Sequence, residues 1–149
     1  MVAVDESEQS MYALKWVLDN LRPTGSDTLI LCHVKRLPVT YGGPGFVLTP
    51  EVIAYLEKYE ERNAKNIMKK SREICSGSQA SYDVKVEEKI VKGDARESLC
   101  EAVKKSEADM LVVGSHGYGT IKRALLGSVS DYCAHHAKCP VLIVKKPHH

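Results

Sequence analysis

The chemistry-bearing part of this sequence is one run, Gly114-Ser115-His116-Gly117-Tyr118-Gly119-Thr120-Ile121-Lys122-Arg123-Ala124-Leu125-Leu126-Gly127-Ser128-Val129-Ser130. It starts where an apolar strand pattern ends and leads into a helical one. Small residues there let the backbone approach a ligand closely, and the free N–H groups of a first helical turn attract anions. Ser128 and Ser130 add hydroxyl donors, and Lys122 and Arg123 add positive charge nearby. Such a loop is suited to holding a phosphate. It is not a Walker A loop, because no Gly-x4-Gly-Lys-Ser/Thr occurs in it. Nor is it the dinucleotide fingerprint: Gly117-Tyr118-Gly119 lacks the third Gly and follows the fourth strand rather than the first.

The elements that must position this run follow from periodicity. Met1-Val2-Ala3-Val4-Asp5 reads as an opening strand. A core strand with nothing before it is unusual, which leaves room for a short leader upstream. Leu14, Val17, Leu18 and Leu21 recur on one helical face, ended by Pro23 and Gly25. Residues 28–34 form a near-continuous apolar strand of the kind buried on both faces of a parallel sheet. Residues 35–48 hold Pro38, Gly42, Gly43, Pro44 and Gly45 and are expected to be irregular. Thr49 as N-cap and Pro50 at the first helical position start a long helix, with Ile53, Leu56, Ala64, Ile67, Met68 and Ile74 as its apolar stripe and Gly77 as its stop. Its charged face, from Glu57 to Arg72, reads as solvated and held by i,i+4 pairs.

Residues 82–91 alternate as a third strand. Asp94 and Glu97 form a capping-box pattern ahead of a helix that buries Ala95, Leu99, Ala102 and Val103. Residues 110–113 are a fourth strand ending at Gly114, residues 125–136 a helix through Val129, Cys133 and Ala137, and residues 141–144 a fifth strand. Strands alternating with helices imply a parallel sheet covered on both faces, a three-layer α/β/α arrangement in one domain spanning residues 1–149. Ligands of open sheets bind outside the carboxyl ends of the strands, where the strand order switches. Asp5, residues 33–35, Gly93, Asp94, Gly114 onward and Lys145 stand at those ends.

Composition bounds the function. The chain has 149 residues, 44% apolar and 27% charged, so it is globular rather than disordered. A net charge of +2 and 6% aromatic residues give neither the basic footprint nor the stacking platform of a nucleic-acid binder. No apolar run reaches a membrane span, and Asp5 and Glu6 break any signal-peptide pattern. A cytoplasmic protein with no membrane or nucleic-acid partner is the expectation. Five cysteines, with no Cys-x-x-Cys pair, read as reduced packing residues.

Three sharper readings of single residues yield to plainer ones. Cys133, His136 and Cys139 match no recognised zinc spacing, so no metal site is assigned. His116 is a loop residue before it is a catalytic base, and no catalytic residue is assigned. Asp5-Glu6 with Lys146-Pro147 resembles the acid pair and Lys-Pro of receiver domains, but no Asp ends the third strand, where Val91-Lys92-Gly93 stands.

The spacing Gly114-x2-Gly117-x9-Gly127-Ser128 resembles the nucleotide-binding signature of the universal stress protein family. Met1 to Asp5 resembles that family's first strand with its terminal Asp. Leu29 to Val34, ending Leu31-Cys32-His33-Val34, resembles the second, and Cys139-Pro140-Val141-Leu142-Ile143-Val144 the closing one. The Gly-Pro loop and long charged helix look most like single-domain plant members. The resemblance implies a Rossmann-like, adenine nucleotide alpha hydrolase-like sheet of five parallel strands in the order 3-2-1-4-5, from the ATP- or AMP-binding branch. It implies that Asp5 bonds the ribose, that the Val34 backbone meets the adenine edge, and that Ala3 and Val4 line the adenine pocket. Gly114, Ser115, His116, Gly117 and Gly119, with Gly127, Ser128, Val129 and Ser130, would wrap the ribose and phosphates. Mg²⁺ is an option alongside ATP. The last strand, Val141 to Val144, would pair with its counterpart in a homodimer, and a bare apolar edge strand needs such cover. The function implied is that of a nucleotide-dependent sensor or switch in the stress response. The alternative is a slow ATPase or phosphoryl-transfer enzyme using the same site, for which no paired acids stand ready to hold Mg²⁺.

Overall fold

The computed structural model describes residues 1–78, 83–116 and 126–147. The elements run β1 (Val2–Ala3), α1 (Glu8–Asn20), β2 (Thr28–Lys35), a 3₁₀ turn (Pro38–Tyr41), α2 (Pro50–Gly77), β3 (Lys85–Lys92), α3 (Ala95–Lys105), β4 (Leu111–Gly114), α4 (Ser128–His136) and β5 (Val141–Val144). All strand pairs are parallel, and the sheet order is β3-β2-β1-β4-β5. The expected five-stranded α/β architecture and its strand order are therefore observed.

Two apolar clusters lie on the two faces of this sheet. One joins Met11, Leu14, Val17 and Leu18 of α1 and Ile67, Met68 and Cys75 of α2 to Val2, Val4, Leu29, Leu31 and Val112. The other joins Leu99, Ala102 and Val103 of α3 and Cys133 of α4 to Cys32, Leu111 and Val113. Alternate residues of β2 and β4 thus serve opposite faces, which is why these strands read as unbroken apolar runs.

Several boundaries differ from the sequence reading for identifiable reasons. The first strand pairs only at Val2 and Ala3 rather than through Asp5. Leu21 is the C-cap of α1 and is 46% exposed, so the buried face stops at Leu18. The third strand starts at Lys85; Tyr82 lies outside the described residues. The fourth helix begins at Ser128, with Gly127 extended at its N-cap; Leu125 lies outside the described residues.

The charges of α2 are the clearest correction. Among the described residues they form no i,i+4 pairs along the helix. They reach to the sheet instead: Glu61 to Lys35 at 3.1 Å, Glu57 to Lys92 at 3.5 Å, and Arg72 to Glu88. Glu60 and Ser71, two polar residues, are buried within the stripe, while Ile53 and Leu56 are only half-buried. The expected caps do form. The Thr49 hydroxyl accepts from the Val52 N–H, and the Asp94 carboxylate from Arg96 and Glu97 N–H groups.

Candidate functional site

A cavity of about 270 Å³ opens at the carboxyl edge of the sheet, between β1, β2 and β4 and the start of α4. It lies at the switch point, where β1 is flanked by β2, which follows it in the chain, and by β4, which the chain reaches only after β3. Ala3, Val4, Asp5, Val34, Gly114, His116, Gly127, Ser128, Val129 and Ser130, all named as candidates from the sequence, line it. Ser115 does not. It is buried, donates its N–H to the Val144 carbonyl, and accepts at its own carbonyl from the Gly127 N–H at 2.7 Å. It therefore braces the floor from beneath. Gly117 and Gly119, with Lys122 and Arg123, lie outside the described residues.

Asp5 is held by its neighbours. Its Oδ1 accepts from the Ser7 N–H at 2.8 Å and from the Ser7 hydroxyl, and its own N–H donates to Ser10 Oγ at 3.0 Å. Ser7 is also the N-cap of α1, accepting from the Ser10 N–H. Asp5 thus caps its own loop, but this occupies only one carboxylate oxygen. Oδ2 has no bond among the described residues, and the fixed carboxylate lines the cavity.

The far wall is the N-terminus of α4. The Asp131 N–H closes the first helical bond onto the Gly127 carbonyl, so the N–H groups of Ser128, Val129 and Ser130 have no intrahelical acceptor. The Ser130 hydroxyl is spoken for: it lies 2.9 Å from the Gly127 carbonyl and 3.1 Å from that of Ser115, and its single hydrogen serves one of them. Its offering to the cavity is the backbone N–H, not the hydroxyl expected from sequence. Ser128 is exposed and keeps its hydroxyl available. Gly114 has a different purpose from close ligand approach. A Cβ there would stand 2.9 Å from the Gln9 carbonyl carbon, so its small size lets α1 lie against β4.

His33, one of the strand-end candidates, also lines the cavity, whereas sequence reasoning missed Glu6, Ser10, Cys32, Arg36, Ala95, Leu99 and Val113. Ser7 and Ser10 carried a readable signal, since a Ser before a helix with a polar residue three positions on is a cap pattern. Arg36 carried none. Its guanidinium meets Glu6 at 3.1 Å and the buried Glu60 at 3.3 Å, and lies over the Tyr41 ring at 5.3 Å. Glu60 also accepts from the Arg36 N–H at 3.2 Å and from the Tyr41 hydroxyl. This cluster ties the 3₁₀ turn and the first α-helical entry loop to α2, at the rim of the cavity.

Of the cysteines only Cys32 reaches the cavity lining, and Lys146 of the receiver-like constellation stands outside it. Burial pushes the Cys32 thiol up to about 11. Burial, with Cys100 at an Sγ–Sγ distance of 4.0 Å, pushes Cys133 up to about 12. His136 stacks on Tyr132 and bonds the Tyr132 carbonyl. Lys146 pairs with Glu8 at 2.8 Å rather than with Asp5.

Fold and cavity define an open-sheet α/β protein with its cavity at the topological switch. The universal stress protein family matches residues 1–145, and the chain belongs to that family. Universal stress protein PHOS34 of Arabidopsis thaliana is 32% identical over 98% of this chain and 61% of its own length. The chain thus spans about three fifths of that relative. The solved structure of hypothetical protein MJ0577 superposes with a TM-score of 0.78 at 27% identity, covering 99% of this chain and 95% of that one. A universal stress protein family protein from Arabidopsis thaliana, solved with AMP bound, has a TM-score of 0.67 at 24% identity and covers 99% and 90%. Among the described residues no helix is long and apolar enough to cross a membrane.

Proposed function

We propose that this chain binds an adenine nucleotide, ATP or AMP, in the switch-point cavity, and that occupancy alters the surface it presents to a partner. The observation that carries the reading is the pairing, across one cavity, of a fixed carboxylate with an open oxygen (Asp5) and a helix N-terminus with free N–H groups (Ser128 to Ser130). A ribose diol needs an acceptor and a phosphate needs donors, and this cavity holds one at each end. Val34 and the Ala3-Val4 wall are left for the base, and Mg²⁺ would accompany ATP. The AMP held by the Arabidopsis neighbour supports the choice of adenine. The reading includes a cytoplasmic homodimer joined through β5, whose side chains are half-buried except at Val144.

The test is direct. Freshly purified protein is denatured and the released small molecules are weighed by mass spectrometry; AMP or ATP at near one per chain is expected. Asp5→Asn keeps an acceptor for Ser7 while removing the charge and the second acceptor. It should weaken AMP binding by about 1.5–3 kcal/mol, the range for a hydrogen bond to a charged group. Unchanged affinity in Asp5→Asn would remove the ribose role, and no binding of either nucleotide by the wild type would remove the reading itself. Light scattering coupled to gel filtration settles the dimer.

A further inference from the structure

The parallel ladder between β1 and β2 stops one bond early, and a side chain stands on the acceptor of the missing bond. The register pairs Ala3 with Cys32, and the Val4 N–H donates to the Cys32 carbonyl at 2.8 Å. The next bond of a parallel ladder would run from the Val34 N–H to the Val4 carbonyl. It is not made: the pairing ends at Ala3, and the Val4 carbonyl is bonded instead by His33 Nδ1 at 2.8 Å. A carbonyl only accepts, so Nδ1 carries the proton. On the other side of β2, the Lys35 carbonyl accepts from the Gly93 N–H. Peptide groups alternate along a strand, so those of Lys35 face β3 and those of Cys32 and Val34 face β1. Val34 therefore presents both its N–H and its carbonyl toward the place β1 has just vacated, and it lines the cavity there.

The geometry points to His33 as a positioning residue that keeps the Val34 peptide open for ligand. By donating to the Val4 carbonyl from within hydrogen-bond distance, the imidazole competes with the Val34 N–H for that acceptor. The residue is 4% exposed, so water does not compete for this bond. The open donor and acceptor match one edge of a 6-aminopurine, which offers N1 as acceptor and the 6-amino group as donor. A 6-oxopurine reverses both. His33 would thus set base selectivity through the Val34 peptide. Only this ligand arm rests on the nucleotide reading; the backbone arm stands without it.

The test is amide hydrogen exchange by NMR on the full chain. In the ligand-free wild type, the Val34 amide should exchange at least a hundredfold faster than the laddered Cys32 amide. Long-range ¹H–¹⁵N spectra should show the Nδ1-protonated ring. In His33→Leu the freed Val4 carbonyl should recover the Val34 N–H and slow its exchange toward that of Cys32. His33→Asn, whose side-chain amide can donate in place of Nδ1, should stay fast. A slow Val34 amide in the wild type, an Nε2-protonated ring, or unchanged exchange in folded His33→Leu would overturn the inference. The first two readouts need no variant to fold. In the ligand arm, AMP should slow Val34 exchange in the wild type. His33→Leu should bind AMP roughly tenfold more weakly while IMP affinity stays put, whereas general damage to the site would weaken both. Absence of AMP binding together with the expected exchange pattern would remove the nucleotide reading and leave the role of His33 intact.

Discussion

Gly114→Ala tests how the sheet is covered. The added Cβ would sit 2.9 Å from the Gln9 carbonyl carbon, 3.0 Å from its oxygen and 3.1 Å from its Cβ. Carbon atoms in ordinary contact lie about 3.5–4.0 Å apart. Two of these neighbours are backbone, which cannot rotate away, so α1 must lift from β4 by about 0.6–1 Å. That helix buries Met11, Ala13, Leu14, Val17 and Leu18, and the shift is felt across the whole face. Overpacking of this kind costs about 1–3 kcal/mol. The lower backbone entropy of unfolded Ala returns about 0.4–1 kcal/mol. The net loss is then about 1.3 kcal/mol, the middle of a range from about 0 to 2.6 kcal/mol, or a Tm lower by roughly 3–5 °C at that midpoint for a domain of this size. Gly77→Ala is the control, because nothing lies within 4 Å of a Cβ there and its φ is not in the left-handed region. It should raise stability by up to about 1 kcal/mol. Calorimetry or urea unfolding of the two variants side by side decides the matter. A Gly114→Ala protein as stable as the wild type would refute the steric argument and return Gly114 to a purely ligand-facing role.

Other outcomes follow from the same structure. Glu60→Ala leaves the Arg36 and Tyr41 donors without their buried acceptor and should cost about 2–3 kcal/mol by urea unfolding, with faster tryptic cleavage at Arg36; unchanged stability and cleavage would mean the 3₁₀ turn is held by other contacts. The Arg96 guanidinium and two N–H groups hold the Asp94 carboxyl below its usual 3.8. Its contribution is therefore complete above that pH and disappears as the pH falls through the lower folded value. Asp94→Ala should cost about 1 kcal/mol at pH 7 and progressively less below about pH 4, and a deficit that is constant with pH would contradict the cap. With thiols pushed up to about 11 and about 12, Cys32 and Cys133 should resist iodoacetamide at pH 8 in the folded protein and label on unfolding. Peptide mapping that found Cys133 labelled as fast as Cys100 would contradict that burial.

The framework was legible in the sequence because it is written in local chemistry. Thr49-Pro50 marks a helix start through a hydroxyl acceptor and a fixed φ, and both are used as read. The run 28–34 announces burial on two faces because its polar residues are nearly absent. What could not be read depends on partners far away in the chain. Glu60 looks like any surface acid on a charged helix until Arg36 and Tyr41 fold over it. The α2 charges look like i,i+4 pairs because nothing local tells that Lys35, Glu88 and Lys92 lie within reach. Asp5 and Val34 were placed at the cavity by their positions after strands, but the reason the Val34 peptide is open lies in the side chain of its neighbour. Ser130 was read as a hydroxyl donor from its residue type, and only the nearby Gly127 and Ser115 carbonyls show where its hydrogen goes.

The two rims of the sheet have unequal valence. On one side β3 runs Lys85-Val-Glu-Glu-Lys-Ile-Val-Lys92, five charges in eight residues, mostly exposed. On the other β5 is Val141-Leu-Ile-Val144, uncharged and half-covered. A charged rim repels an incoming strand, whereas an uncharged one accepts it. Accretion by strand addition is thus confined to one end of each copy. Two copies meeting there, in the two-fold form proposed above, use up both receptive rims and turn only charged ones outward. In that proposed dimer the charged strand about 50 residues earlier in the chain would hold the stoichiometry at two.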